Sequence, residues 1–334
     1  MSVIYLNTYG SKASLSSERL IIEIPDEHNP DEKAEEFSVP LLDVSHLVVN
    51  TGVHLPAKTL ARLSTRGIPV LIVTKHLHPL ALTVPAVQKG KLRWQQFECF
   101  QKSEFRLTNT IVLVKGKMRN QYRQLQRLAS NRKLPKLPQM VAIHQLANQL
   151  SGIEDPGQAF GIEGMASAHY YEALGQFFPS DLPFDKRSRR PPKDPANALL
   201  SYLYTLLSME TAAHLWATGL DPAWGLYHAT ADNRYALALD MVEPIRPILD
   251  GIALDLINHK RLKSEDFTQQ DDGYYLAQSA RPTLYKHLEK SLEREYNSRH
   301  LGHNTTLRKH LRHQCLTLRK AITAEGDFET LRSN

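Results

Sequence analysis

Residues 97–128 read FECFQKSEFRLTNTIVLVKGKMRNQYRQLQRL, helix-forming residues with the single glycine Gly116, and they divide the chain into two textures. Upstream, Val3–Leu6, Leu20–Ile24, His46–Val49 and Val70–Val73 are short β-branched runs separated by turn residues, the pattern of strands. One helix is predicted among them over Pro56–Leu63, because proline suits a first helical turn and Gly67 suits a stop. Asp26–Glu36 is acidic and carries Asn and Pro, which predicts a solvated hairpin loop. Downstream, helical patterns recur at Met140–Leu150, Gly164–Phe178, Pro195–Thr218, Arg234–His259 and Thr283–Tyr296. The expected fold class is α+β in two domains: a small β-rich, β-sandwich-like domain over 1–84, a linker over 85–95 and a larger all-α domain over 96–334.

Composition narrows the function classes. With 334 residues, 42% hydrophobic and 23% charged, the chain is of ordinary globular type. Cys99 and Cys315 are too far apart in sequence for a metal knuckle or a disulfide framework. The apolar run Ala198–Met209 is interrupted by Ser201, Thr205 and Ser208 and falls short of a membrane span. Met1–Gly10 shows no secretory signal, so a soluble, cytoplasmic protein is expected. No phosphate loop, dinucleotide fingerprint, nucleophile elbow or HExxH helix occurs.

The formal charge is only +6, but it is clustered. Between Phe105 and Ile153 there is no acid, while Arg106, Lys115, Lys117, Arg119, Arg123, Arg127, Arg132, Lys133 and Lys136 are present. Arg119, Arg123 and Arg127 recur every fourth residue and form one ridge on a helix. A second cluster, Lys186, Arg187, Arg189, Arg190 and Lys193, is predicted on a proline-rich loop, and a third comprises Arg308, Lys309, Arg312, Arg319 and Lys320. Such clusters suit phosphate-backbone contacts to DNA, which position a duplex without reading its sequence. Nearby, His300, His303, His310, His313 and Cys315 imitate zinc spacing. Gly302 and Asn304 interrupt the first pair and basic residues surround the second, so a frayed, phosphate-facing tail is expected there instead.

The candidate chemistry is a carboxylate–histidine set. Glu163 opens a small-residue helix, His228 follows a turn-rich segment, and Asp240 and Glu243 stand three apart among apolar neighbours. Oxygen ligands with one imidazole suit Mg2+ or Mn2+, and such an ion beside a basic surface is what phosphodiester chemistry requires. By spacing alone, a lone Glu at a helix start is more often a cap, and an acid pair three apart is more often a surface feature.

The run Arg189-Arg190-Pro191-Pro192-Lys193-Asp194-Pro195-Ala196-Asn197-Ala198-Leu199-Leu200-Ser201, followed by Tyr204-Thr205-Leu206-Leu207, resembles the signature of CRISPR-associated protein one. So does the order Gly161-x-Glu163-Gly164, then Gly219-Leu220-Asp221-Pro222 leading to His228, then Leu237, Leu239, Asp240, Glu243, Pro244, Arg246, Pro247 and Asp250. The resemblance spans nearly the whole chain. It implies a metal-dependent DNA endonuclease and integrase of CRISPR spacer acquisition. It further implies a homodimer formed through the β domain, two such dimers flanking a dimer of CRISPR-associated protein two, and double-stranded DNA as substrate, both prespacer and leader–repeat. The reaction implied is attack of prespacer 3′-hydroxyls on the repeat ends. Glu163, His228 and Glu243 match the family's metal ligands, Asp240 its accessory acid, and Arg246 a nearby basic position. The aromatic residue usual two places before the histidine is Leu226 here. Rival readings are a structure-selective repair nuclease and a non-catalytic DNA scaffold.

Overall fold

The computed structural model describes residues 2–26, 34–74, 79–83, 89–232 and 234–333. They gather into two compact units, Met1–Lys91 with Ala212–Leu220, and Leu92–Thr211 with Asp221–Asn334.

The first unit contains strands β1 (Ser2–Leu6), β2 (Lys12–Ser16), β3 (Arg19–Ile24), β4 (Glu35–Pro40), β5 (Val44–Asn50), β6 (Val70–Val73) and β7 (Pro79–Thr83), with helix α1 (Ala57–Thr65) between β5 and β6. Strands β2, β3 and β4 make an antiparallel sheet, and the other sheet runs β1-β5-β6-β7. In that second sheet β1, β5 and β6 are parallel, with Ile4 opposite Leu47 and Leu47 opposite Val70, and β7 closes it antiparallel. Parallel neighbours need a crossover, and α1 supplies it between β5 and β6. Both sheets and the helix share one core, through Leu6 and Leu47 from one sheet, Leu20 and Ile22 from the other, and Leu63 from α1.

Helix α1 ends as its sequence directs. Gly67 takes φ +70°, its N–H donates to the Ser64 carbonyl, and the Ile68 N–H reaches back to Leu63, the paired bonds of a glycine-terminated helix. Of the expected loop over 26–36, residues 27–33 lie outside those described, while Glu35 and Glu36 belong to β4. Residues 84–88 likewise lie outside them, and from Gly90 onward the expected linker is already helical.

The second unit is built on α2 (Gly90–Gln101), α3 (Ser103–Asn131), α4 (Pro138–Gln149), α5 (Pro156–Gly175), α6 (Pro195–Thr218, of which the residues from Ala212 on belong to the first unit), α7 (Ala236–Val242), α8 (Arg246–Asn258), α9 (Arg281–Glu293) and α10 (Leu307–Ile322). Two short hairpins, β8 (Phe267–Gln270) with β9 (Gly273–Leu276) and β10 (Tyr296–Ser298) with β11 (His303–Thr305), interrupt them. The axial helix is α3, at 29 residues about 43 Å long, with α4, α5 and α8 packed against it. Its single glycine has a packing reason, since a Cβ at Gly116 would collide with the Thr330 side chain. The helical pattern over 234–259 is broken in two at Pro244, which has no N–H to continue the ladder. Among the described residues, no helix is long and apolar enough to cross a membrane.

Candidate active site

Four segments of the second unit converge on one buried set of charges. Helix α5 starts at Asp155, whose side chain accepts from Gly157 N at 2.6 Å and Gln158 N at 3.2 Å, with Pro156 in the first turn, a strong N-terminal signal. The start at Pro156 rather than near Gly164 puts Glu163 two turns inside the helix, so it is not a cap. Its Oε1 accepts from Ser167 Oγ at 2.6 Å, and its Oε2 from the Tyr227 hydroxyl at 3.0 Å.

Opposite stands Lys117 of α3, only 3% exposed. Its ammonium is hydrogen-bonded to Glu163 Oε1 and lies 2.6 Å from Glu243 Oε2. The break at Pro244 leaves Glu243 at the end of α7 and Arg246 at the start of α8, with Arg246 Nη2 3.1 Å from Glu243 Oε1. Asn120, one turn along α3 from Lys117, donates to the Pro244 carbonyl at 2.6 Å and fixes that turn. Gln121 donates to Ser167 Oγ at 3.2 Å. Lys117, Asn120 and Gln121 therefore use one face of α3 to hold both carboxylates.

Asp240 has a different task from its neighbour three residues on. It is fully buried and accepts from the backbone N–H groups of Leu226 (2.7 Å), Tyr227 (3.0 Å) and His228 (2.9 Å), and its Oδ1 lies 2.6 Å from His228 Nδ1. A carboxylate only accepts, so Nδ1 carries the imidazole proton. Nε2 is left as the free donor atom, 3.9 Å from Glu243 Oε1. Gly225 makes the tight loop possible, because a Cβ there would run into the His228 carbonyl oxygen. Asp240 is a positioning residue for His228, and its oxygens are spent on that loop.

Electrostatically the set is balanced, with Lys117 and Arg246 against Glu163 and Glu243. Burial alone would raise Glu243, but Arg246, Lys117 and His228 together hold its carboxyl down at about 2. Glu163 is also lowered, Lys117 outweighing the effect of burial. Lys117 is itself raised despite burial, by Glu243 and Glu163. Burial and the Glu163 charge push the Tyr227 phenol up, which keeps it a proton donor. Two carboxylates facing an imidazole whose second nitrogen is tied to an acid form a donor set suited to Mg2+ or Mn2+. A cation already stands between those carboxylates, in the form of the Lys117 ammonium. Among the described residues, no three His, Cys, Asp or Glu groups are gathered closely enough to ligate an ion in this arrangement.

Residues 4–290 match the family model described as "CRISPR associated protein Cas1". A CRISPR-associated endonuclease Cas1 of Thermodesulfovibrio yellowstonii is 33% identical over 265 residues, covering 77% of this chain and 83% of the relative. The chain belongs to the Cas1 family. A Cas1 endonuclease of Rhodospirillum rubrum is 31% identical over 299 residues, covering 85% of this chain and 84% of that one. The fold superposes on a Cas1 protein from Thermotoga maritima with TM-score 0.80 at 23% identity, over 99% of this chain and 100% of the other. A casposase bound to integration product gives TM-score 0.86 at 20% identity, over 100% and 95%.

Within this Cas1-family fold the basic residues sort by burial. Arg119, Arg123 and Arg127 are exposed as a ridge, and Arg123 and Arg127 line a cleft of about 850 Å³. Lys186, Arg189 and Arg190 are exposed as well. Arg187 is not a free DNA contact as expected, because its guanidinium donates to Asn197 Oδ1 at 2.7 Å and Ser201 Oγ at 2.9 Å and lies 5.3 Å over the Tyr204 ring. Arg246 is buried as the counter-ion of Glu243 and does not face solvent. Lys117, counted among the basic residues of α3, points away from the ridge into the site. In the third cluster Lys309, Arg312 and Lys320 are exposed and Arg308 is buried. Residues 307–322 are helix α10, capped by Thr306, whose side chain accepts from Lys309 N, and not a frayed tail. Buried Arg308 meets Glu210 at 2.5 Å, Glu293 at 2.6 Å and Glu289 at 2.7 Å.

Sequence reasoning missed Lys117, Tyr227 and Ser167 as site residues. Ser167 was open to discovery, since it stands one turn after Glu163 on the same helix face. Lys117 was hidden because its acidic partners are remote in sequence.

Proposed function

We propose that this protein performs the integration step of CRISPR spacer acquisition, joining the 3′-hydroxyls of a short captured DNA duplex to the ends of a CRISPR repeat. The observation that carries the reading is the meeting of Glu163 and Glu243 at the buried Lys117 ammonium, with the Asp240-oriented His228 3.9 Å from Glu243. Family membership and the fold shared with a casposase bound to integration product support it. Glu163, Glu243 and His228 Nε2 would hold Mg2+ or Mn2+. Bound there, the ion supplies charge stabilisation at the phosphoryl group and activation of the attacking oxygen.

The chain's own residues do the rest. Asp240 holds the imidazole in one tautomer and one direction. The Tyr227 hydroxyl and Ser167 fix the two oxygens of Glu163, so the carboxylate does not rotate. Arg246 keeps Glu243 ionised. In the transesterification the incoming 3′-oxygen bonds to the phosphate at the repeat's 5′ end, and the bond from that phosphate to the 3′-oxygen of the flanking strand breaks. The proton lost by the attacking hydroxyl is balanced by the one the leaving 3′-oxygen takes up, and no covalent enzyme intermediate is needed. That accounts for the absence of any activated nucleophile in the sequence. The exposed ridge and loop would hold duplex DNA by its backbone. Assembly as homodimers with a dimer of the second CRISPR-associated protein is part of the same proposal, and a solved Cas6-RT-Cas1–Cas2 complex of similar fold supports that partner.

The test is a strand-transfer assay with labelled short duplex, a supercoiled plasmid carrying the repeat, Mn2+ or Mg2+ and the partner protein, run beside Glu163→Ala. Label joined to plasmid by the unaltered protein alone is the expected result. Cutting without joining would replace the reading with a hydrolytic nuclease acting on branched DNA. Equal activity in both proteins would remove the site assignment.

A further inference from the structure

An aromatic residue with about half of its surface exposed stands one helical turn from Glu163. Phe160 is 55% exposed and precedes Glu163 by three residues on α5, so the two share a face with Cβ atoms about 5–6 Å apart. A single exposed apolar side chain is ordinary on a protein surface. What sets Phe160 apart is how it is held. Its ring lies against Tyr227, centroids 5.4 Å apart at 38°. Tyr227 is pinned at its far end by the hydroxyl bond to Glu163 Oε2, 3.0 Å, and stands edge-on to the His228 ring at 5.1 Å and 83°. The Phe160 ring is thus oriented through the same contacts that orient the reacting groups, while much of its surface remains wet.

The geometry points to Phe160 as a stacking platform for an unpaired nucleobase immediately next to the reacting phosphodiester. This rests on the integrase reading of the same site. If a phosphodiester is held at Glu163, Glu243 and His228, the neighbouring base lies within reach of a ring one helical turn away. A phenyl ring offers no hydrogen bond to a base edge, so it accepts any base whose π-face is free. Bases within a continuous duplex have no free face, and the occupant is therefore the unpaired 3′ end of the incoming strand. Tyr227 is the positioning residue for the platform.

The experiment places 2-aminopurine, whose fluorescence falls when it stacks, at successive positions of a single-stranded 3′ overhang on a short duplex. Binding is measured in EDTA, so that no chemistry intervenes, with the unaltered protein, Phe160→Ala, Phe160→Leu and Phe160→Trp. Quenching confined to one or two positions is expected, lost in Phe160→Ala and Phe160→Leu and restored in Phe160→Trp. Affinity for the overhang should fall about 5- to 150-fold in Phe160→Ala, the equivalent of one stacked base, while blunt duplex changes less than about twofold. Quenching that survives Phe160→Ala, rescue by Leu equal to that by Trp, or equal losses for blunt and overhang DNA would each overturn the proposal. Glu163→Gln keeps an acceptor for Tyr227 and should quench normally while failing to join strands. If the unaltered protein fails to join strands but quenching still follows Phe160, the integrase reading fails and the platform stands. If it joins strands and quenching ignores Phe160, the platform fails alone.

Discussion

Replacing Lys117 by methionine keeps the length of the side chain and removes the charge that bridges Glu163 and Glu243. Arg246 still faces Glu243, but Glu163 is left against a second carboxylate inside the protein. Removing one partner of a buried ion pair costs about 3–5 kcal/mol. An independent bound agrees. The variant can relieve the repulsion by protonating one carboxyl, and from an ordinary value of 4.5 that costs about 3 kcal/mol at pH 7. The melting temperature should therefore fall by about 6–20 °C at pH 7. The deficit should close as the pH approaches 4.5, where protonating a carboxyl costs little. The unaltered protein behaves oppositely. Its Glu243 is held at about 2, below the ordinary range, so that contribution is present above pH 4.5 and is lost as the pH falls toward 2. Mn2+ gives the second arm. With the ammonium absent, the ion becomes the natural counter-charge, and saturating Mn2+ should raise the variant's melting temperature more than that of the unaltered protein. Differential scanning fluorimetry from pH 4.5 to 8, with and without Mn2+, measures both effects. Equal melting temperatures at pH 7, or a smaller Mn2+ gain in Lys117→Met, would refute the bridging role.

Asp240→Asn should lower the strand-transfer rate about 10- to 100-fold with DNA affinity retained, because the imidazole loses its orienting carboxylate; a time course with an unchanged rate contradicts this. Arg187→Ala should cost about 1–3 kcal/mol of stability and leave DNA affinity within twofold, whereas neutralising Lys186, Arg189 and Arg190 together should flatten the salt dependence of binding by nearly three in log–log slope; salt titrations by fluorescence anisotropy separate the two outcomes. Arg308→Met should cost about 3–5 kcal/mol, since Glu210, Glu289 and Glu293 lose their shared cation, and a denaturant midpoint equal to that of the unaltered protein would show the cluster to be dispensable. Asp250, raised by burial to about 6 although Tyr204 and Tyr170 donate to it, contributes most below pH 3.8 and loses about 3 kcal/mol as the pH rises through 6; Asp250→Asn should therefore compare better with the unaltered protein at pH 7.5 than at pH 4.5 in urea unfolding, and a pH-independent difference would count against it.

The family and its carboxylate–histidine set were legible because Glu163, His228, Asp240 and Glu243 lie in long local patterns. Helix α1 was legible for the same reason, with Pro56 and Gly67 at its ends. Lys117 was not. It precedes Arg119 by two residues, about 200° around the helix, so one basic side chain enters the site while the other faces solvent. Nothing in the local run says which is which, since the acids that claim Lys117 come from residues 163 and 243. Arg187 and Arg308 were misread alike, each as a surface charge whose partners lie ten or more residues away in sequence, whereas Arg246 has its partner Glu243 only three residues before it. The start of α5 was mistaken because its small residues mask helical periodicity, although Asp155-Pro156 marks it. The parallel pairing of β1, β5 and β6 was likewise hidden, because buried runs of either sense read as the same apolar string.

The loop from Gly225 to His228 is clamped by one carboxylate that takes three successive amides. His228 is held by that same carboxylate at its backbone N–H and at Nδ1, so the path of the loop and the direction of the imidazole are set together and a change at Asp240 alters both at once.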